Sequence, residues 1–335
     1  MSFTKFVSRT SIAMCLLAGT TLSASAATLM VGNKYAGTVS FVDLDTGQEV
    51  QRPITGGSPH ELAVSPDGDK VVVVSYLEDG YIGRELNVFD VATAEHLKTI
   101  DISPHMAPHG IAWLGDTDSV IVTTEETRDV IKVDVVTGEV TGHVAPGLIG
   151  THLLAMSPDD ATAYVTSRGS DKVSVIDVET MDILNTVKAD TGPEAVDVSP
   201  DGKTLWVGNN QSETIIVLDT ATMERQQVIE TGYLPIRAQF DPAGTVVAVA
   251  DLNGDRIVVY DPSSFEVVSA VDLAPHGAHG PASLLFSPDG KSLFTGAQDG
   301  ARVAEIDTST WSVTRVFETD EGADGLAFSD LKAGV

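Results

Sequence analysis

The sequence predicts an all-β fold, a seven-bladed β-propeller built from four-stranded blades. Short apolar runs rich in Val and Ile end at seven regularly spaced aspartates: Asp43, Asp90, Asp134, Asp177, Asp219, Asp261 and Asp307. A second anchor ends another apolar run in each interval: Ser65, Leu114, Ser157, Ser199, Asp241, Ser287 and Ser329. Successive anchors are roughly 42–49 residues apart. A repeat of about 40–50 residues that carries four short strands is typical of one propeller blade.

One repeat shows how the four strands follow from the residues. In residues 194–230 the strands are predicted at EAVDVS, LWVGNN, TIIVLD and RQQVIE, because each run is short and rich in β-branched residues. The turn PDGK separates the first two strands, and residues with strong turn preference separate the last two. The aspartate that ends the third strand is predicted to accept hydrogen bonds from backbone amides two residues further on. Its role is therefore structural.

The two ends of the repeat array predict how the ring closes. The array starts at Ala27 with a strand of the second type, TLMVGN, and ends with DGLAFSD, a strand of the first type with nothing after it. The C-terminal strand should therefore complete the N-terminal blade and leave no free edge at the junction. Residues 27–335 are predicted to form one propeller domain, and we expect a monomer.

Residues 1–26 read as a secretory signal peptide. Lys5 and Arg9 precede an apolar stretch from Ile12 to Ala18, and Ala24-Ser25-Ala26 is a small-residue cleavage site. We expect cleavage near Ala26, a periplasmic or secreted protein, and no insertion into a membrane. Cys15 is the chain's one cysteine and lies within this segment, so the mature protein has neither disulfides nor thiolate ligands.

The strongly acidic composition restricts the partners. Asp and Glu number 48 against 20 Lys and Arg, which gives a formal net charge of −28. Such a charge repels nucleic acid and anionic membranes, and it attracts cations. We therefore expect no nucleic-acid partner.

The second strands carry a resemblance to a known family. Leu29-Met30-Val31-Gly32-Asn33, Tyr164-Val165-Thr166-Ser167 and Leu205-Trp206-Val207-Gly208-Asn209 are each followed by a third strand ending in aspartate. The repeat resembles the YVTN family of bacterial β-propellers, named for a Tyr-Val-Thr-Asn strand motif. That resemblance extends over nearly all of residues 27–329. It implies the propeller fold and leaves the function open.

Variation between repeats points to one face of the propeller. The extra residues of longer blades fall in Leu77–Glu85, between a second and a third strand, and in segments that join blades. Those two kinds of loop share a face, and insertions there suggest that it is the working face. Five residues before each first-strand anchor, at the predicted mouth of the central channel, the blades present His60, His109, His152, Glu194, Ile236, Ala282 and Asp324.

These channel positions predict a metal site. Three histidines occupy equivalent places in consecutive blades, and a closed ring brings such places together around one axis. Neutral imidazoles with a carboxylate are good ligands for Zn²⁺ or Cu²⁺. We predict His60, His109 and His152 as ligands, with Glu194 or Asp324 as a fourth ligand or an orienting group. The weaker candidates come from the extended loops: His105, His276 and His279.

Three alternatives remain open. The channel histidines could be polar plugs bonded to water and backbone carbonyls. A lactonase-like hydrolase or lactone-forming enzyme could use His152 as a base, with Glu194 and Arg237 beside it, because seven-bladed enzymes of that kind use His, Glu and Arg in the channel. The protein could also be an interaction scaffold that binds a periplasmic partner through Leu77–Glu85. The sequence favours a binding module with its site at the channel mouth.

Overall fold

A computed structural model of the chain describes Met1 and residues 27–78, 80–115 and 117–334. The predicted signal peptide lies outside the described residues apart from Met1. Within these ranges, twenty-eight strands form seven antiparallel four-stranded sheets. One turn of 3-10 helix, Ala274–His276, is the only helical element in these ranges. The part of the chain that the structure describes contains no helix long and apolar enough to cross a membrane.

Each sheet is one blade, written here from its first strand to its fourth. Blade 1 consists of β28 (Ala323–Ser329), β1 (Thr28–Asn33), β2 (Thr38–Asp43) and β3 (Gln48–Gln51), and blade 2 of β4 (Pro59–Val64), β5 (Lys70–Glu78), β6 (Tyr81–Asp90) and β7 (His96–Asp101). Blade 3 consists of β8 (Pro108–Trp113), β9 (Ser119–Thr124), β10 (Asp129–Asp134) and β11 (Val140–Val144), and blade 4 of β12 (Thr151–Met156), β13 (Thr162–Ser167), β14 (Lys172–Asp177) and β15 (Ile183–Lys188). Blade 5 consists of β16 (Pro193–Val198), β17 (Thr204–Asn209), β18 (Thr214–Asp219) and β19 (Arg225–Glu230), and blade 6 of β20 (Pro235–Phe240), β21 (Val247–Asp251), β22 (Arg256–Tyr260) and β23 (Val267–Asp272). Blade 7 consists of β24 (Leu285–Phe286), β25 (Ser292–Ala297), β26 (Arg302–Asp307) and β27 (Ser312–Glu318). The predicted fold class is confirmed.

The ring closes as the sequence predicts. The C-terminal strand β28 pairs antiparallel with β1, with Thr28 opposite Ser329 and Val31 opposite Leu326. On its other side β28 contacts β4, and it also contacts β24 of the last blade. The last strand of the chain therefore joins the first, second and last blades.

The core is divided into seven apolar clusters, one at each interface between neighbouring blades. Trp206 of blade 5, for example, is fully buried and contacts the rings of Phe240 and Tyr260 of blade 6. Burying a side chain of this size contributes about 2–3 kcal/mol. Each blade therefore depends on both neighbours for its apolar contacts.

The repeated anchors close turns. Ser199 Oγ donates a hydrogen bond to Asp201 Oδ1 at 2.7 Å and accepts one from the backbone N–H of Thr204 at 3.0 Å. The aspartates that end third strands accept backbone N–H groups two or three residues on, as Asp90 does from Thr93 at 2.8 Å. These bonds satisfy polar groups in the turns.

The insertion Leu77–Glu85, predicted as a loop, is mostly strand. It extends β5 and β6 into a longer hairpin in which Leu77 lies opposite Ile82. Leu77, Tyr81 and Ile82 favour strand, and Gly80 takes a φ of 88° at the turn, which glycine adopts without strain.

Candidate functional site

The seven channel-mouth positions line one cavity of ≈ 240 Å³. His60, His109 and His152 are at most 4% exposed, and Glu194 and Asp324 are also buried. A larger groove of ≈ 360 Å³ lies beside the turns of blades 2 and 3. The described residues that line the groove include no histidine, whereas three histidines line the smaller cavity. We therefore assign the candidate site to the channel mouth.

A β-bulge brings two further charged residues, Glu61 and Arg237, to the channel mouth. In six blades the pairing of the first and second strands shifts register next to the channel-mouth position, as between Pro59 and Leu62 and between Pro235 and Arg237. A bulge interrupts the alternation of side chains between the two faces of a strand. Consequently Glu61, which directly follows His60, also reaches the site. Arg237 does the same one residue after Ile236.

The three channel histidines form a stack. The ring centroids of His60 and His109 are 4.1 Å apart, and those of His109 and His152 are 3.7 Å apart. The ring of Tyr76 stands nearly perpendicular to His60 and His109, with centroid distances of 5.0 and 4.5 Å. Residues from three blades are therefore held in one block at the mouth.

His152 has both ring nitrogens engaged. Its Nδ1 lies 2.7 Å from Glu125 Oε2, and its Nε2 lies 3.3 Å from Glu194 Oε1. Burial alone would raise the pKa of Glu125 and of Glu194, but the contact with His152 lowers each to about 2. Arg168 adds a bond to Glu125 Oε1 at 3.1 Å, and Asn210 donates to Glu194. Both carboxylates are therefore ionised at neutral pH.

Arg237 balances the other acids of the site. Its Nη2 lies 2.8 Å from Glu61 Oε1 and 3.8 Å from Asp324 Oδ1, and its Nη1 lies 3.9 Å from Glu194 Oε1. Burial would raise the pKa of Glu61, but the charge of Arg237 and the neighbouring His60 lower it to about 2. Lys34 Nζ lies 3.9 Å from Asp324 Oδ2.

His60 and His109 are less fully engaged. Among the described residues, the buried Nδ1 atoms of both histidines have no hydrogen-bond partner. His60 Nδ1 lies 3.7 Å from Glu61 Oε1, too far for a hydrogen bond. One ligand atom from each of His60, Glu61 and His109 lies within 4.8 Å of the other two. Burial, followed by the charges of His152 and His60, keeps the pKa of His109 well below its usual range, so that its imidazole is neutral.

All the main predicted site residues lie in one cavity, but only some of them have the spacing of metal ligands. The predicted ligands His60, His109, His152, Glu194 and Asp324 line one cavity, as do Arg168 and Arg237. The group with metal-like spacing contains His60 and His109 and replaces His152 with Glu61. The trio His152, Glu194 and Arg237 also meets there, but His152 is enclosed by carboxylates.

The three weaker candidates lie elsewhere. His276 is exposed at the end of the 3-10 turn. His279 Nδ1 pairs with Asp255 Oδ2 at 2.7 Å. His105 joins a second group with metal-like spacing, together with Asp129 and His143.

Sequence reasoning missed Glu61, Tyr76 and Asp129. Period-two alternation places Glu61 on the opposite face from His60, and the sequence gives no local sign of the bulge that overrides this rule. Glu61 nevertheless holds the same repeat position as Arg237, four residues before the first-strand anchor. Two charged residues at this position of different repeats were the signal that could have identified Glu61. Tyr76 lies on a second strand and Asp129 on a third strand, so neither shares the first-strand repeat position that marks the channel histidines.

The fold and site define a seven-bladed β-propeller with a buried histidine–carboxylate cluster at one mouth of its channel. Residues 114–261 match the Cytochrome D1 heme domain, a β-propeller family. Over 164 residues the chain is 30% identical to eukaryotic translation initiation factor 3 subunit I of Candida albicans, which amounts to 44% of this chain and 46% of that protein. The chain therefore spans about half the length of this relative.

Two solved structures share the fold. A functionally unknown protein from Desulfotomaculum acetoxidans superposes with a TM-score of 0.74 at 16% identity, covering 90% of this chain and 98% of that one. Hydrazine synthase from Kuenenia stuttgartiensis superposes with a TM-score of 0.73 at 20% identity, covering 84% of this chain and 92% of that one. At these identities the similarity establishes the fold alone.

Proposed function

We propose that this protein is an exported binding module that holds a divalent transition-metal ion, zinc or copper, at its channel mouth. The ligands we propose are His60, Glu61 and His109. The observation that carries the proposal is the pair of buried Nδ1 atoms on His60 and His109, neither of which has a hydrogen-bond partner among the described residues. Leaving a buried polar atom unpaired costs about 1–3 kcal/mol, and a bound ion removes that cost.

The ionisation of the proposed ligands supports binding at neutral pH. A metal binds neutral imidazole and ionised carboxylate, so competing protons weaken it. The low pKa of His109 and the pKa of Glu61 at about 2 keep both groups in the binding form. The acidic charge of the whole chain also raises the local concentration of cations.

The cavity size favours an ion with a small co-ligand. Sites for drug-sized molecules enclose about 300–1,000 Å³, and this cavity encloses ≈ 240 Å³. Two protein nitrogens and one carboxylate leave at least one position of a tetrahedral ion for water or a small anion. Arg168, with 38% of its side chain exposed, lies at the rim and could contact such an anion.

The histidines of the matched segment and the size of the cavity do not suit haem. The matched segment 114–261 contains two histidines, His143 and His152. Both nitrogens of His152 contact carboxylates, and His143 lies on an outermost strand. A porphyrin is also much larger than the cavity. We therefore derive no haem chemistry from the family match.

A hydrolase is the second candidate, because His152, Glu194 and Arg237 meet in the channel. A general base needs a free lone pair within reach of the substrate. His152 offers none while Glu125 and Glu194 hold its two nitrogens. Metal-independent cleavage of lactones or small esters, lost on Glu194→Gln and on Arg237→Met, would favour the hydrolase over the binding module.

The test is the zinc content of untagged protein. Wild type, the double variant His60→Ala/His109→Ala and the control His276→Ala are saturated with zinc, desalted and analysed by mass spectrometry. We expect the double variant to hold about one zinc fewer per chain than the other two proteins. Equal zinc content in all three would refute the site.

A further inference from the structure

A second group of metal-ligating side chains lies outside the channel. His105 Nδ1 is 2.9 Å from Asp129 Oδ2, and His143 Nε2 is 3.3 Å from Asp129 Oδ1. The two imidazole centroids are 5.1 Å apart. One ligand atom from each of the three residues lies within 4.8 Å of the others. His105 and Asp129 are mostly buried, whereas 48% of the His143 side chain is exposed.

The fold fixes this geometry from three directions. Asp129 begins β10, and His143 lies on the neighbouring strand β11, opposite Ile131. Side chains two residues apart on a strand share a face, so Asp129 and His143 are diagonal neighbours. His105 comes from the segment that joins blades 2 and 3. The backbone there is held by bonds from His105 N–H to the Ile102 carbonyl and from Met106 N–H to Thr127 Oγ1.

We propose that His105, Asp129 and His143 form a second, solvent-accessible site for a divalent transition metal such as Zn²⁺. Two imidazoles and a carboxylate supply three ligands and leave a position for water. This site needs neither the channel histidines nor the function proposed for the channel mouth.

The distances between the three ligand atoms indicate how far these atoms must move toward one another to bind zinc. Zinc lies about 2.0–2.2 Å from each ligand atom, so two of its ligand atoms are about 3.4 Å apart in a tetrahedral site. A separation of up to 4.8 Å therefore requires a movement of about 1 Å. His143 can make this movement because its side chain is half exposed on the outermost strand of its blade.

A simpler pair in the same molecule provides the control. His279 Nδ1 lies 2.7 Å from Asp255 Oδ2, and 47% of its side chain is exposed. His279 and Asp255 belong to neither group with metal-like spacing among the described residues. An isolated His–Asp pair supplies two ligands at most, so His279→Ala should leave zinc binding unchanged.

Zinc titration calorimetry on untagged protein tests the proposal. We expect His143→Ala and Asp129→Asn each to weaken one zinc site at least about tenfold, and His279→Ala to change nothing. Circular dichroism confirms that each variant is folded. Repeating the set in a His109→Ala background removes any contribution from the channel mouth.

Each outcome decides the proposal. If the channel mouth binds no metal, wild type still shows the site that depends on His143, so the two proposals fail separately. A folded His143→Ala protein with the affinity and stoichiometry of wild type overturns the second site. The second site is also overturned if His143→Ala weakens zinc binding and Asp129→Asn does not. Zinc would then be bound by surface imidazoles rather than by the three-ligand site.

Discussion

The turns and the channel mouth use the sevenfold repeat in opposite ways. At the end of the third strand every blade places an aspartate, and its carboxylate accepts backbone N–H groups of the turn, as in Asp43, Asp177 and Asp261. At the channel mouth the seven equivalent positions carry five kinds of side chain. Where the repeat is kept, the residue serves the fold. Where it is broken, the residue is free to carry chemistry.

The channel itself shows the same contrast between two arcs. Blades 2 to 5 and blade 1 present His60, His109, His152, Glu194 and Asp324, whereas blades 6 and 7 present Ile236 and Ala282. The backbone accommodates apolar residues at this position equally well. A polar residue is therefore not required at every one of these positions, and the grouping of the histidines and carboxylates in one arc favours a ligand site over a set of plugs.

The largest expected effect comes from removing the strand that closes the ring. Deleting Asp324–Val335 removes most of β28, including the buried Leu326 and Ala327, and takes from β1 its pairing partner on one edge and from β4 its contacts with this strand. The apolar loss alone is several kcal/mol against a typical total of about 5–15 kcal/mol. We expect loss of cooperative folding in urea. A truncated protein that unfolds in one transition at the wild-type midpoint would show that the ring does not need this strand.

The next effect separates the buried charges of the mouth from charges on the surface. Arg237→Met leaves the carboxylates of Glu61, Glu194 and Asp324 without their buried cation. Breaking a buried ion pair costs about 3–5 kcal/mol, whereas Arg52→Met, which breaks an exposed pair with Glu49, should cost less than about 1 kcal/mol. Urea unfolding at neutral pH measures both. Equal losses would place Arg237 among ordinary surface charges.

A partly buried acid in a first strand, Asp197, should make stability depend on pH. Burial raises the pKa of Asp197 to about 7, although the N–H groups of Phe240 and Val198 lower it. Because its pKa is higher in the folded chain than in the unfolded chain, stability is full below about pH 4 and falls as pH rises through about 7. The residue keeps some exposure, so Asp197→Asn should add at most about 3 kcal/mol at about pH 8 and clearly less, about 1 kcal/mol, at about pH 5.

The matched control for that effect is Asp182→Asn, which removes the same charge from an exposed position. Thermal unfolding at the two pH values should show a pH-dependent gain for Asp197→Asn alone. A similar gain in both variants would mean that the general acidity of the protein, rather than burial, is responsible.

The smallest effect tests the repeated turns. Asp90→Ala and Asp261→Ala each remove the acceptor for backbone N–H groups, those of Thr93 and of Ser263 and Ser264. Each should cost about 1 kcal/mol, and the double variant should show the sum because the turns lie in different blades. Calorimetric unfolding measures all three proteins. A double variant far from additive would mean that the turns are coupled across the ring.

The sequence predicts the fold almost completely because propeller strands depend on local patterns. Short β-branched runs, Ser-Pro-Asp turns and the incomplete first and last repeats are all visible in one dimension. Part of the site is visible for the same reason, since His60, His109 and His152 share a repeat position.

The remainder of the site depends on three-dimensional contacts. The bulge in β4 places the side chain of Glu61 at the channel mouth together with that of His60. The contacts that enclose His152 include Glu125, which comes from another blade. The group His105, Asp129 and His143 combines a joining segment with two strands, so no shared repeat position indicates it. Equivalence within a repeat predicts which residues meet, but it does not predict their hydrogen bonds.

The measurement that tests the central claim most directly is anomalous diffraction at the zinc edge from crystals of untagged protein soaked in zinc. We expect a peak at the channel mouth, about 2.0–2.2 Å from one nitrogen of His60, one nitrogen of His109 and one oxygen of Glu61. Ordered water without anomalous signal between these three side chains, at saturating zinc, would contradict the account.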